Sequence, residues 1–287
     1  MRRVLLLVCA LISLMPMVVG SKGFTGFSPE APAVNAIPSR THRAVTGSEF
    51  ARRTADMSRD DREKAALDEL RSGNIPGFLK NLKPVTLHLT SPHAEATAMI
   101  WVMPDYLSIG SDDDFLRIPL SYDAATTIAS EYGFALPTPK MVDAIYAQSA
   151  FRLEPQPLPA GQMMCSNSYY VNHQTMIQRQ LWGQPQDELI SGHKKDLVLT
   201  NRLLRNPHRV AIYGWHHRDG TPIQPLSTVH EASYADYSHG IRLVSTTVQI
   251  NGTPRSIYDV LEDPDLAPLL TDEGMIASAR DLMHCRK

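Results

Sequence analysis

Histidine is the side chain best suited to act as base or metal ligand near neutral pH. Seven of the 11 histidines fall between His173 and His239. The densest chemistry is the run Tyr213–Arg242, where Asp236, Ser238, His239 and Arg242 lie within seven residues. A carboxylate, a hydroxyl and an imidazole at such spacing suit general acid–base work: His239 or His230 as base, Asp236 orienting it, and Ser238 or Tyr237 supplying a hydroxyl. Arg242 would hold an anionic group such as a carboxylate. Gly240 would let a ligand approach the backbone. A second cluster, Gly192–Asp196, adds His193 and Lys194 as substrate-binding candidates beside His216 and Tyr237, with a solvated charged turn as the plain alternative. His173 and His208 are expected to be surface residues without a role. Asp236 and Arg242 pairing with each other is the structural alternative to a cleft-lining role for residues 236–242.

A metal site would draw on His216, His230 and His239, with Asp236 as a further ligand type. His230-Glu231 is not followed by a second histidine, so no H-E-x-x-H motif is present. No cofactor or metal is favoured, with zinc as the alternative. Asp112–Asp114 reads as a solvated acidic turn.

Two fragments resemble known families. Ser238-His239-Gly240-Ile241-Arg242 resembles the S-H-G-C-[IV]-R signature of L,D-transpeptidases, with Ile241 following Gly240 directly and the cysteine missing. Cys165, Asp196-Leu-Val-Leu199 and His208-Arg-Val-Ala-Ile-Tyr213 resemble the order of motifs in papain-like cell-wall amidases. That resemblance implies a cysteine nucleophile at a helix start and a histidine base on a neighbouring strand. A buried or disulfide-bonded Cys165 is the alternative, with Cys285 as partner.

Elements must position these residues. Ser58 and Asp61 form a capping box and Gly73 a stop, so a helix is expected between them. Helices are also expected over 123–132, over 139–150 behind Thr138, and over 167–182. Strand-like segments are 85–90, 96–103, 115–120, 196–200, 210–215 and 241–250, with short helices at 256–261 and 275–283. These mixed blocks predict an α+β fold, mostly an antiparallel sheet with flanking helices. Residues 21–57, rich in turn formers, read as an extended leader to a single domain over 58–287, with a possible sub-boundary at the prolines near 155–160.

Arg2, Arg3, the uncharged run Val4–Val19 and Gly20 have the form of a secretory signal peptide covering 1–20. The expectation is export to the periplasm or beyond, with no transmembrane anchor after cleavage. The full chain has 28 basic and 30 acidic residues. Losing Arg2 and Arg3 leaves 26 against 30, a net of −4. That balance argues against nucleic-acid binding. Together these features suggest a hydrolase or transferase acting on a cell-envelope or extracellular polymer, peptidoglycan or glycan. The rival is a non-catalytic secreted binding or scaffold protein. Convergence of His216, His230, Asp236, His239 and Arg242 on one cleft would favour the enzyme.

Overall fold

The computed structural model describes residues 30–91 and 94–283. The expected signal peptide over 1–20 and Cys285 lie outside the described residues. The chain is α+β, and residues from Ala31 onward form one compact unit with no division at Pro155–Pro159.

The expected leader is overturned from Thr46 onward. The helix α1 (Gly47–Arg53) starts on the Thr46 side chain, which accepts the Glu49 N–H. It buries Phe50 and Ala51 in the core, joined by Ile37 and Val45. Apolar residues spaced among turn formers carry no period, so the sequence hid this anchor. The helix α2 (Arg59–Arg71) has the expected Ser58 cap. A cap of this kind stabilises a helix by about 1 kcal/mol.

The antiparallel pair β1 (Lys83–Ser91) and β2 (Ala94–Val102) follows, then the short hairpin β3 (Ser108–Gly110) and β4 (Phe115–Arg117). Next come α3 (Tyr122–Tyr132), β5 (Phe134–Ala135), α4 (Pro139–Gln148) and β6 (Phe151–Arg152). Ser121 and Thr138 cap the two helices, and Gly133, at φ 78°, ends the first. The helix α5 (Asn167–Gln180) is capped by Ser166. The polar half continues through β7 (Ile190–Ser191), β8 (Lys195–Leu197), α6 (Arg202–Arg205), β9 (Ile212–His216), β10 (Pro222–Ser227) and β11 (His239–Gly240). The chain closes with β12 (Val244–Ser245), β13 (Thr247–Ile250), β14 (Thr253–Ser256), α7 (Ile257–Leu261) and α8 (Ala279–Leu282).

Two sheets organise the core. The larger runs β14-β13-β2-β12-β5, with β1 also paired to β2. The smaller runs β10-β9-β8-β11 and is antiparallel except for the parallel β8–β11 pair. The expected long strand over 241–250 is therefore broken. Ile241, Arg242 and Leu243 cross from the small sheet to the large one, all fully buried. The 103–107 segment covers the crossing: Met103 N–H donates to Leu243 O at 3.0 Å and Leu107 N–H to Ile241 O at 2.9 Å. The closing helix is likewise shorter than the expected 275–283. No helix among the described residues is long and apolar enough to cross a membrane.

Candidate functional site

The parallel pairing of β8 with β11 sets Lys195 opposite His239 and Asp196 opposite Gly240. Side chains alternate across a strand. Lys195 and His239 therefore share one face, and Asp196 occupies the other.

On the first face His239 is fully buried and neither ring nitrogen has a hydrogen-bond partner. Buried polar atoms without partners are rare and costly, about 1–3 kcal/mol each, and His173 shares this state. Burial holds the His239 ring well below the ordinary histidine range, against the pull of Asp236 and helped by Lys195. The ring is therefore neutral at neutral pH. Asp236 lies beside it. Burial works to raise that carboxyl, but the charge that His239 gains in acid and the hydrogen bonds of Ser238 outweigh it and hold it low. The Ser238 hydroxyl and N–H donate to Asp236 Oδ1 at 2.6 and 2.8 Å, and the Tyr234 hydroxyl donates to Oδ2 at 2.9 Å. His230 stacks on Tyr234 with ring centroids 4.3 Å apart, and Tyr234 meets His239 edge-on at 5.7 Å. Cys165, half-buried with a free thiol just before α5, borders the same group. Burial pushes its thiol up, the Asp236 charge adds to this, and Arg59 and Tyr234 oppose it.

On the opposite face the Tyr106 hydroxyl donates to Asp196 Oδ2 at 2.9 Å. The Arg242 guanidinium lies 4.2 Å from the Tyr106 ring centroid. It donates to Met103 O at 3.0 Å and Ile190 O at 2.7 Å. Gly240 is small because the Tyr106 ring needs the space: a Cβ there would sit 2.6 Å from Cδ1. Burial lifts the Asp196 carboxyl to about 6, against the Arg242 charge and the Tyr106 hydrogen bond.

A third group lies deeper. Arg117 Nε donates to both oxygens of Asp105, at 3.0 and 2.9 Å, and the pair is almost fully buried. His193 Nε2 lies 3.2 Å from Asp105 Oδ1, and its Nδ1 is unpartnered. Lys194 Nζ donates to Tyr237 O at 2.6 Å, and burial with the Arg117 charge pushes its amine down to about 7. His173 is fully buried with both nitrogens free, its ring edge-on to Tyr237 at 5.0 Å. Nearby, Trp215 has φ 57°. That is an outlier for a bulky residue, costing about 1–3 kcal/mol and typical of functional sites. Lys195 Nζ lies 5.2 Å from its ring centroid.

The structure thus gathers His230, Asp236, Ser238 and His239 around Tyr234, and separates the rest. Asp236 keeps its carboxylate for Ser238 and Tyr234, so it acts on His239 through charge. Ser238 is fully buried with its hydroxyl given to Asp236. Tyr237 is buried and its hydroxyl accepts the Leu158 N–H at 2.7 Å, so neither supplies the expected reacting hydroxyl. Arg242 is no open anion holder: it is fully buried, and its Nη1 and Nη2 donate to backbone carbonyls across the sheet crossing, with only Nε left without a partner. Asp236 and Arg242 do not pair either, and residues 236–242 are buried and do not line an open cleft. His216 stands elsewhere, 2.9 Å from Asp143 and stacked on Tyr146 at 4.6 Å. His193 and Lys194 are buried, which overturns the solvated turn, and buried His173 overturns its expected surface position. His208 is exposed as expected. Among the described residues no group of three or more His, Cys, Asp or Glu is placed to hold a metal. Asp112 and Asp114 instead tie loops, accepting N–H groups of Phe78 and Ser48. Sequence reasoning missed Asp105, Tyr106, Arg117 and Asp143. Arg117, a charge inside an apolar run, was the available signal.

Compared with known proteins, the chain matches no family model, and no curated protein or solved structure matches it significantly.

The buried histidines make the fold acid-sensitive. An unfolded histidine takes up its proton near 6.5, whereas burial pushes His193 down to about 4 and lowers His173 and His239 as well. The histidines cost no stability above pH 6.5, and stability is lost as pH falls toward 4, by about 3 kcal/mol for His193 alone. Asp196 has the opposite sign between 3.8 and about 6 and offsets only part of this. Urea midpoints should fall steadily from pH 7 to pH 4.5. A flat profile would contradict the buried, neutral histidines.

Proposed function

We propose that the protein is an exported hydrolase or transferase acting on a cell-envelope or extracellular polymer, peptidoglycan or glycan, with its reaction centre at His239. The observation that carries this reading is the neutral, fully buried imidazole with two free nitrogens beside an ionised Asp236. Such a ring can take a proton from water or a substrate hydroxyl as the new bond forms. Asp236 then stabilises the imidazolium, since charge on His239 and charge on Asp236 favour each other. Lys195, on the same face, offers a cation to developing negative charge. His230 and Tyr234, both half-buried, pack beside His239. Cys165 is a neighbour of this centre, and its raised thiol is a poor thiolate donor.

Incubating the mature protein with peptidoglycan sacculi and with soluble glycans, and following released fragments by mass spectrometry, tests the reading. Asp236→Asn is expected to lower turnover at least 100-fold. Cys165→Ser is expected to leave it within a few-fold. Loss of turnover on Cys165→Ser with the fold unchanged would move the chemistry to the thiol. The second reading is a non-catalytic binding or scaffold protein, favoured because His216, His230, Asp236, His239 and Arg242 do not converge on one cleft, Arg242 and His216 being bonded structurally elsewhere. Absence of any product with every polymer would support it.

A further inference from the structure

We propose that the cleft between the C-terminal end of α5 and the β3–β4 hairpin is a subsite for a neutral saccharide, with Trp182 as its stacking platform. It deepens the polymer-processing reading and rests on it for the polymer's context. The cleft is about 360 Å³, within the range of small-ligand sites. Trp182 stands on its lip and is 88% exposed, while Trp101 and Trp215 are 6% and 4% exposed. A large aromatic ring left in water beside a concave surface is suited to stack on a ligand's apolar face. After α5, Gly183 at φ 77° turns the chain and the Gln184 N–H closes back on Leu181 O at 2.9 Å, so Trp182 sits in a tight turn.

The rest of the wall selects the ligand. Among the described residues the side-chain amides of Gln178 and Gln184 make no hydrogen bond, and Gln186 uses only its Nε2, on Asp112 O at 2.9 Å. Amides and the Asp113 carboxylate suit hydroxyl groups, which both donate and accept. Arg117 reaches the floor, but its guanidinium is taken by Asp105 and by Gln174 Oε1 at 2.9 Å. Among the described residues lining the cleft no free cation remains for an anionic group, so an uncharged sugar fits better. The apolar face of a pyranose ring matches the indole. A larger cleft of about 610 Å³, between α1, β4 and α5, has no lining residue in the titratable groups around His239 and His193.

The test is titration with chitohexaose, cellohexaose and soluble glycan strands, read by tryptophan fluorescence and calorimetry. One of these is expected to bind and to shift the exposed-tryptophan emission. Trp182→Ala should abolish the shift and weaken binding at least 10-fold, and Gln178→Ala should weaken it several-fold, both with unchanged melting temperature. Trp182→Phe should keep most of the affinity. His239→Gln should bind saccharide like the wild type while losing turnover. No binding by any of the three sugars, or equal binding by Trp182→Ala, overturns the proposal. So does a change confined to the sedimentation coefficient on Trp182→Ala, which would mean that the ring packs against a second copy. If His239-dependent turnover persists without saccharide binding, the cleft proposal falls and the reaction centre stands.

Discussion

Replacing Arg117 with methionine is expected to destabilise the fold by about 3–5 kcal/mol, because it strands a charge in the interior. Arg117 and Asp105 have side chains 1% and 2% exposed. Burial works to raise the Asp105 carboxyl, and the Arg117 charge, helped by His193, holds it far below the usual carboxylate range. Without the guanidinium only the Tyr106 N–H, at 2.6 Å, and His193, itself held neutral by burial, would remain within hydrogen-bond reach. Methionine approximates the length of the arginine stem, so the loss reports charge more than cavity. Urea unfolding of Arg117→Met measures it. Arg117→Met/Asp105→Asn should recover a large part, since the stranded charge goes with it. A loss below about 1 kcal/mol for the single variant would contradict a buried, ionised pair.

Gly240→Ala is expected to be comparably severe. The added Cβ would meet two Tyr106 ring carbons at 2.6 Å and Lys194 Cβ at 2.9 Å. Over-packing of this kind typically costs about 1–3 kcal/mol. Moving the Tyr106 ring also takes its hydroxyl from Asp196 and its face from Arg242, and each buried group left unpaired adds about 1–3 kcal/mol. Chemical denaturation should show a total of about 4 kcal/mol, falling when Tyr106 is shortened to leucine in the same chain. Full stability in Gly240→Ala would mean that the glycine serves a ligand and not this packing.

These two sites show what was legible in the sequence. Capping residues are local, so Ser58, Thr138 and the stop at Gly133 marked their helices closely. The α+β class followed from the mixture of periodic segments. His239 and Asp236 stood out as candidates because polar residue types crowd one short stretch. What could not be read is where that stretch faces. A fully buried run of His, Ser, Asp and Arg looks like a cleft in sequence, and only its partners reveal otherwise. Those partners come from far away: Arg242 bonds Met103, and Tyr106 bonds Asp196. The break in 241–250 was hidden for the same reason, since Ile241 and Leu243 are apolar whether they continue a strand or cross between sheets. Arg117 was read as part of an apolar strand, which its burial bears out, but its need for a buried carboxylate was not followed to Asp105.

The central claim is that a neutral His239 beside Asp236 accepts the proton in polymer cleavage or transfer. The most direct measurement is turnover per folded molecule for His239→Gln, with melting temperature recorded alongside, on whichever envelope or extracellular polymer the wild type degrades. Glutamine keeps polarity and approximate volume but cannot accept a proton at neutral pH. The expected result is a fall of about 10²–10⁴-fold with the fold retained. Undiminished turnover in the folded variant would contradict the claim and remove His239 from the reaction.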